Sequence, residues 1–198
     1  MRIVRVTEPS DLEALFRFRH EIYVEQLGWL PPTPAGLIRD EFDDLAFNYA
    51  AFDDGGFIVG SMRVVPDSPF GLPLEHCSPL NGYRCGKQLV ELCRLAVHPD
   101  CPNRRLGGLL MKAGFQRADL YGATHVVLDT YVGDATAPLY DKMGFERVTD
   151  EYGDPSYTCD LNVVTMSQPV QSVYEEWPTA RPGLYRFFTS RDDCIHHD

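Results

Sequence analysis

The 198-residue sequence has no apolar run approaching the roughly 20 residues needed to span a bilayer. Its opening, MRIVRVTEPS, has neither the apolar stretch nor the small-residue cleavage site of a secretory signal, so a cytoplasmic protein without integral membrane association is the expectation. No C-x-x-C pair is present. Cys77, Cys85, Cys93 and Cys101 recur every eight residues, a spacing with no coordination geometry behind it, so the cysteines read as scattered thiols and no metal site is expected. The tail CIHHD reads as a frayed end. Positive charge is scarce too: 18 Lys and Arg stand against 29 Asp and Glu, a formal net charge of −11. Nucleic acid and anionic membranes both want a basic footprint, and neither is expected as a partner. There is no internal repeat, and the length suits one domain with a sizeable core.

The chain alternates strand and helix signals. RIVRV reads as a first strand, and Ser10 opens a helix with the capping box Ser10-x-x-Glu13. Leu12, Leu15, Phe16, Ile22 and Tyr23 form its apolar stripe, with Arg19 in the middle of it. A Pro- and Gly-rich loop ends in the acids Asp40, Glu41, Asp43 and Asp44, expected at a sheet edge. FNYAAFDD and FIVGSMRVVP make a hairpin, and QLVELCRLAVHP is a strand. The next helix places Leu106, Leu109, Leu110, Ala113 and Leu120 on one face. THVVLDTYV is a strand, DATAPLYDKMGF a short helix stopped by Gly144, and SYTCDLNVVTM a closing strand. This order gives an α/β fold, a mixed twisted sheet with helices on both faces. Residues 1–167 form the domain, and 168–198 an extension packing on it or covering it.

Charges inside apolar segments need an explanation, because an unpaired buried charge is costly. Arg19 lies on a helix stripe, and Glu91 and Arg94 lie inside ELCRLAV. In a regular strand residues 91 and 94 point to opposite faces, so they share one only across a β-bulge. The strand then runs into Arg104-Arg105-x-Gly107-Gly108 at the start of a helix. Free N–H groups, the dipole and the arginines together make a phosphate site.

Joined to APLYDKMGF, this loop resembles the GNAT acyltransferases, where it holds the phosphate of a pantetheine carrier and a tyrosine, here Tyr140, lies beside the thioester sulfur. Arg105 replaces the usual first glycine of the loop, which points from coenzyme A toward acyl carrier protein. FRFRHEIYVEQLGW, DEFDD, GSMRVVP and ELCRLAV are further similar to acyl-homoserine-lactone synthases and the long-chain N-acyl amino acid synthases of N-acyltyrosine synthase type. The matching positions are Arg19, Tyr23, Trp29, Glu41, Asp43, Arg63, Glu91 and Arg94; a further aspartate of the lactone synthases appears as Ala46.

The resemblance implies transfer of a medium- or long-chain fatty acyl group from the phosphopantetheine of acyl carrier protein to the α-amine of an amino acid, with tyrosine as its suggested acceptor. No permanently bound cofactor is expected. Such a transfer needs a base for the ammonium and donors for the tetrahedral oxyanion. Glu91 is the first candidate base, with Glu41 or Asp43 in reserve. The N–H groups around Leu95 and Ala96 are candidate oxyanion donors, and Tyr140 the donor to sulfur. Arg19 and Arg63 suit the acceptor's carboxylate. Arg104, Arg105, Lys112, Arg117, Arg84 and Lys87 gather as a docking patch for an acidic carrier protein. The alternatives are a lactone synthase using acyl carrier protein and S-adenosylmethionine, a non-catalytic carrier-binding module, and a coenzyme A-dependent acetyltransferase.

Overall fold

The computed structural model describes every residue except 102, 104, 134 and 135. In chain order the main elements are β1 (Arg2–Arg5), α1 (Pro9–His20), β2 (Phe47–Phe52), β3 (Ile58–Pro66), β4 (Leu89–Val97), α2 (Leu106–Tyr121), β5 (His125–Tyr131) and α3 (Thr136–Met143). They are followed by β6 (Glu146–Arg147), β7 (Tyr152–Gly153), β8 (Asn162–Pro169), α4 (Ser172–Glu175), α5 (Trp177–Ala180), α6 (Pro182–Thr189) and β9 (Ile195–His196). The sheet runs β6-β8-β5-β4-β3-β2-β1-β9, with β7 beside β8. β4 pairs β5 and β1 pairs β9 in parallel, while the other pairs are antiparallel, so the sheet is mixed as expected.

Strand alternation divides the residues between two faces. Tyr49, Met62, Val64, Val90, Leu92 and Val126 join the main core, which α2 closes from below. Gly114 permits that approach, since a Cβ there would stand 3.0 Å from the Leu92 side chain. The opposite face of β3 packs against α1 and carries the polar residues.

Four local expectations change. α1 begins at Pro9, with Glu8 as N-cap and no side-chain cap bond, so Ser10 lies inside the helix rather than capping it. Proline's fixed φ favours the first helical position, and it sets the N-cap two residues early. Leu120 is 66% exposed and does not belong to the buried face of α2. The acids 40–44 form a short 3-10 turn (Glu41–Asp44) that packs on central β3 instead of a sheet edge. The tail is not frayed: β9 pairs with β1, and the His197 ring bonds the Tyr49 hydroxyl at 2.8 Å.

The segment after 167 enters the same core as the sheet. Residue 167 lies within β8; beyond it, Trp177 is fully buried and packs on Phe115 and Phe188.

Candidate active site

The site begins where two parallel strands part. β4 and β5 pair through Leu89↔His125, Val90↔Val126 and Glu91↔Val127, and there the ladder ends. β4 continues to Val97 and β5 to Tyr131. Among the described residues, the main chain of β4 beyond Glu91 therefore has an edge without a strand partner. Between the strands lies a cleft of about 700 Å³, lined among others by Glu91, Arg94, Leu95, Ala96, Asp129 and Tyr140.

A bulge shapes one wall. Ser61 faces Ala96 and Arg63 faces Cys93, so two residues of β3 span three of β4. Arg94 absorbs the difference with φ 53°, the one non-glycine residue with a positive φ among those described. The bulge that would put Glu91 and Arg94 on one face is present. Even so, the two do not pair. Glu91 accepts the Leu74 N–H at 2.9 Å, while the Arg94 guanidinium lies 3.5 Å from Asp40 and 5.8 Å from the centre of the Tyr23 ring.

Behind this wall is a buried ion network. Arg19 donates to Asp43 (2.8 Å), Asn48 (2.6 Å) and Ser61 (3.2 Å). Arg63 donates to Asp40 (2.6 Å) and Asp43 (3.0 Å), and its Nε lies 3.3 Å from the Cys93 sulfur. The acids are presented by a reciprocal cap, in which Asp40 accepts from the Phe42 N–H and Asp43 from the Asp40 N–H. Burial works to raise the Asp40 carboxyl, but Arg63 and Arg94 outweigh it and hold the group below its ordinary value. Arg19 and Arg63 are almost completely enclosed, so neither presents a guanidinium to an acceptor. Arg94, 24% exposed, keeps its guanidinium at the cleft wall.

Glu91 has a different environment. Its side chain is buried, and burial pushes its carboxyl up to about 7; the Leu74 N–H opposes the shift and the Asp129 charge adds to it. Burial raises Asp129 as well. Glu41 lies at the cleft rim with its side chain 68% exposed, 4.0 Å from His76. Asp43 is enclosed by two arginines rather than free to act as a base.

Aromatic rings cover the other end. Trp29 lies 6.4 Å from Tyr23, 6.3 Å from Tyr131 and 6.2 Å from Tyr157, ring centre to ring centre. The Tyr23 hydroxyl donates to the Leu95 carbonyl in the bulge (2.9 Å). Tyr140 is buried, lines the cleft and packs on Phe145.

The expected phosphate loop is only partly described, because Arg104 lies outside the described residues. Arg105 is the exposed N-cap of α2, and its N–H bonds the Asn103 side chain. Gly107 and Gly108 follow in the first turn, where N–H groups have no intrahelical acceptor. The wider basic patch is dispersed. Lys112 is fully buried and bound to Asp192 and Ser190, and Arg117 to Tyr49 and the His197 carbonyl. Arg84 pairs with Asp67 and Glu75, and Lys87 donates to the Tyr83 carbonyl. The C-terminal segment covers Lys112, which therefore cannot meet a carrier.

Two residues at the site carried signals that the sequence reading did not use. Asp40 completes Asp-x-x-Asp, the spacing of a capping box. Asp129, in VVLDTYV, is an acid inside an apolar strand, the same feature that drew attention to Glu91.

The sequence profile of the family described as N-acyl amino acid synthase FeeM matches residues 14–168. The chain is similar to an acyl-homoserine-lactone synthase of Vibrio anguillarum, 26% identical over 154 residues, or 72% of this chain and 78% of that protein. It is also similar to one of Ralstonia solanacearum, 32% identical over 112 residues, or 52% of this chain and 53% of that protein. Among solved structures, FeeM, an N-acyl amino acid synthase from uncultured soil microbes, superposes with a TM-score of 0.68 at 17% identity, covering 88% of this chain and 95% of its own. BjaI, a CoA-dependent acyl-homoserine lactone synthase, gives 0.71 at 20% identity, covering 100% and 93%. These superpositions show the GNAT-like fold expected from the sequence. With the profile spanning most of its length, the chain is an acyltransferase and belongs to the FeeM family of N-acyl amino acid synthases.

Proposed function

We propose that the protein transfers a medium- or long-chain acyl group from the phosphopantetheine thioester of acyl carrier protein to the α-amine of an amino acid, with an aromatic acceptor such as tyrosine. The observation that carries this reading is the placement of Glu91, a buried carboxyl where β4 and β5 part, beside a bulge that turns Arg94 into the same cleft. An amino acid has an ammonium and a carboxylate a few ångströms apart, and this wall offers a base and a guanidinium within three residues.

In this reading the Glu91 carboxylate takes a proton from the ammonium. The freed amine attacks the thioester carbon and a C–N bond forms. Main-chain donors of Leu95 and Ala96 stabilise the oxyanion while Tyr23 fixes the bulge through the Leu95 carbonyl. The C–S bond then breaks, and the thiolate takes up the proton lost by the nitrogen, with Tyr140 as donor to sulfur. One proton remains on Glu91 and passes to water. Arg94 clamps the carboxylate in place of Arg19 and Arg63, whose donors are committed to Asp40, Asp43, Asn48 and Ser61. The rings of Trp29, Tyr131 and Tyr157 suit an aromatic side chain. The first-turn N–H groups of Gly107 and Gly108, with Arg105, receive the carrier's phosphate. Arg105 in place of a glycine favours one phosphate over the diphosphate of coenzyme A.

The test is to incubate the purified protein with fatty-acyl carrier protein or fatty-acyl coenzyme A, together with mixed amino acids or S-adenosylmethionine, and to analyse products by mass spectrometry. Acyl amino acids formed from the carrier protein are expected. Lactone without acyl amino acid would overturn the acceptor, and turnover with coenzyme A alone would overturn the donor.

A further inference from the structure

The cleft keeps its two charge signs apart. Three arginines and two aspartates occupy the β3 side, where every guanidinium has an aspartate partner. Glu91 and Asp129 occupy the β4–β5 side. Among the described residues no lysine, arginine or histidine lies within ion-pair distance of either carboxylate. Asp129 nevertheless is built in firmly: its Oδ1 accepts the Thr165 hydroxyl at 2.7 Å and its Oδ2 the Tyr152 hydroxyl. Since Val127 is opposite Glu91 and Asp129 is two residues further along β5, the two acids share a face of the sheet. One strand spacing and two residue rises separate their Cα atoms by about 8 Å, and more as the strands diverge.

A buried carboxylate without a cation is costly, and the reaction supplies one cation only. The thioester carries no positive charge at its reacting end; the acceptor carries an ammonium. We propose that Asp129 binds the acceptor's ammonium and holds it beside Glu91, which then takes its proton. Asp129 keeps its own protonation state through the reaction. It also acts on Glu91 through space, since the groups facing Glu91 are the Asp129 charge, the Leu74 N–H, Arg63 and Cys93, and Asp129 is the one that disfavours its ionisation by charge. Asp129 in turn is faced by Tyr152, Thr165 and the Asp154 charge.

This inference rests on the amine-acceptor reading, and the wild-type assay tests that reading first: if no amino acid, S-adenosylmethionine or alkylamine is acylated, the reading falls before any variant is compared. With an acceptor in hand, Asp129→Asn is expected to raise the acceptor's KM tenfold or more while the donor's KM stays within twofold. The acidic limb of its kcat/KM profile should move to lower pH, because the charge opposing Glu91 ionisation is gone. An acceptor KM within twofold of wild type with an unmoved limb would overturn the assignment. Should Asp129→Asn fail to fold, Tyr152→Phe decides. Losing one donor makes Asp129 harder to ionise, so the rise in acceptor KM should be larger at the acid end of the accessible pH range than at its alkaline end. A defect constant over that range, or none at all, would equally overturn the proposal.

Discussion

At the scale of single residues, the balance at Glu91 is between desolvation and one hydrogen bond, and desolvation wins. The carboxyl, normally near 4.5, is pushed up to about 7. The proposed base role requires an ionised Glu91, so kcat/KM should rise with pH through a limb near 7, and Glu91→Gln should lower it by about 10²–10⁴-fold. The same shift has a stability sign. A carboxyl whose folded value is raised favours folding below about 4.5, where it is neutral in both states, and that contribution is lost as pH rises through about 7. The loss amounts to about 3 kcal/mol at pH 8. Gln stays neutral and can still accept the Leu74 N–H, so Glu91→Gln should raise Tm at pH 8 by about 6–12 °C and leave it nearly unchanged at pH 4.5. Equal Tm shifts at both pH values in scanning calorimetry would refute this account. Glu91 was legible because an acid in an apolar run is an anomaly in any sequence. The division of labour among the arginines was not, since Arg19, Arg63 and Arg94 are indistinguishable until packing decides which one keeps an exposed guanidinium.

At the scale of elements, the bulge in β4 does what a regular strand cannot, bringing residues of odd separation to one wall. Its cost is a left-handed residue with a side chain, of the order of 1–2 kcal/mol. Arg94 therefore pays in backbone strain for a position its guanidinium needs. Arg94→Ala and Arg94→Gly separate the two effects. Both remove the guanidinium, and both should raise the acceptor's KM by about tenfold or more, as loss of a charge-assisted hydrogen bond to a carboxylate implies. Only glycine relieves the φ of +53°, so Arg94→Gly should be more stable than Arg94→Ala by about 1 kcal/mol in urea titrations. Equal stabilities would show that the bulge is not strained. The main strands along the chain and both long helices could be read from periodicity, but the bulge could not. Apolar alternation reports faces, and one inserted residue leaves no compositional trace; only the odd spacing of Glu91 and Arg94 posed the problem.

At the scale of the molecule, the sequence reads residues 168–198 as an extension and CIHHD as a frayed end without revealing what they touch, because a tail rich in Pro, Tyr and Phe has no period to betray its partners. Trp177 is the largest fully buried side chain, enclosed by Phe115 of α2 and Phe188 of α6. Below it, Asp192 and Ser190 satisfy a Lys112 ammonium that would otherwise be buried alone. β9 meanwhile extends the sheet beyond β1. A segment so placed cannot melt separately without exposing the side of α2 that carries Gly108, Lys112 and Phe115, opposite the side packed on β3 and β4. The sequence has two tryptophans, and they report from distant points: Trp29 beside the cleft and Trp177 beneath the tail. Unfolding in urea should therefore give superimposable transitions for wild type, Trp29→Phe and far-ultraviolet circular dichroism, the first two read by fluorescence. Trp177→Ala should lower stability by about 3–5 kcal/mol, the cost of emptying a large core site. Because α2 links that site to β4, the loss should appear in the whole transition rather than in an early phase. An early phase confined to the Trp177 signal would mean that the tail folds as a separate unit, and that Lys112 becomes available at the surface when it opens.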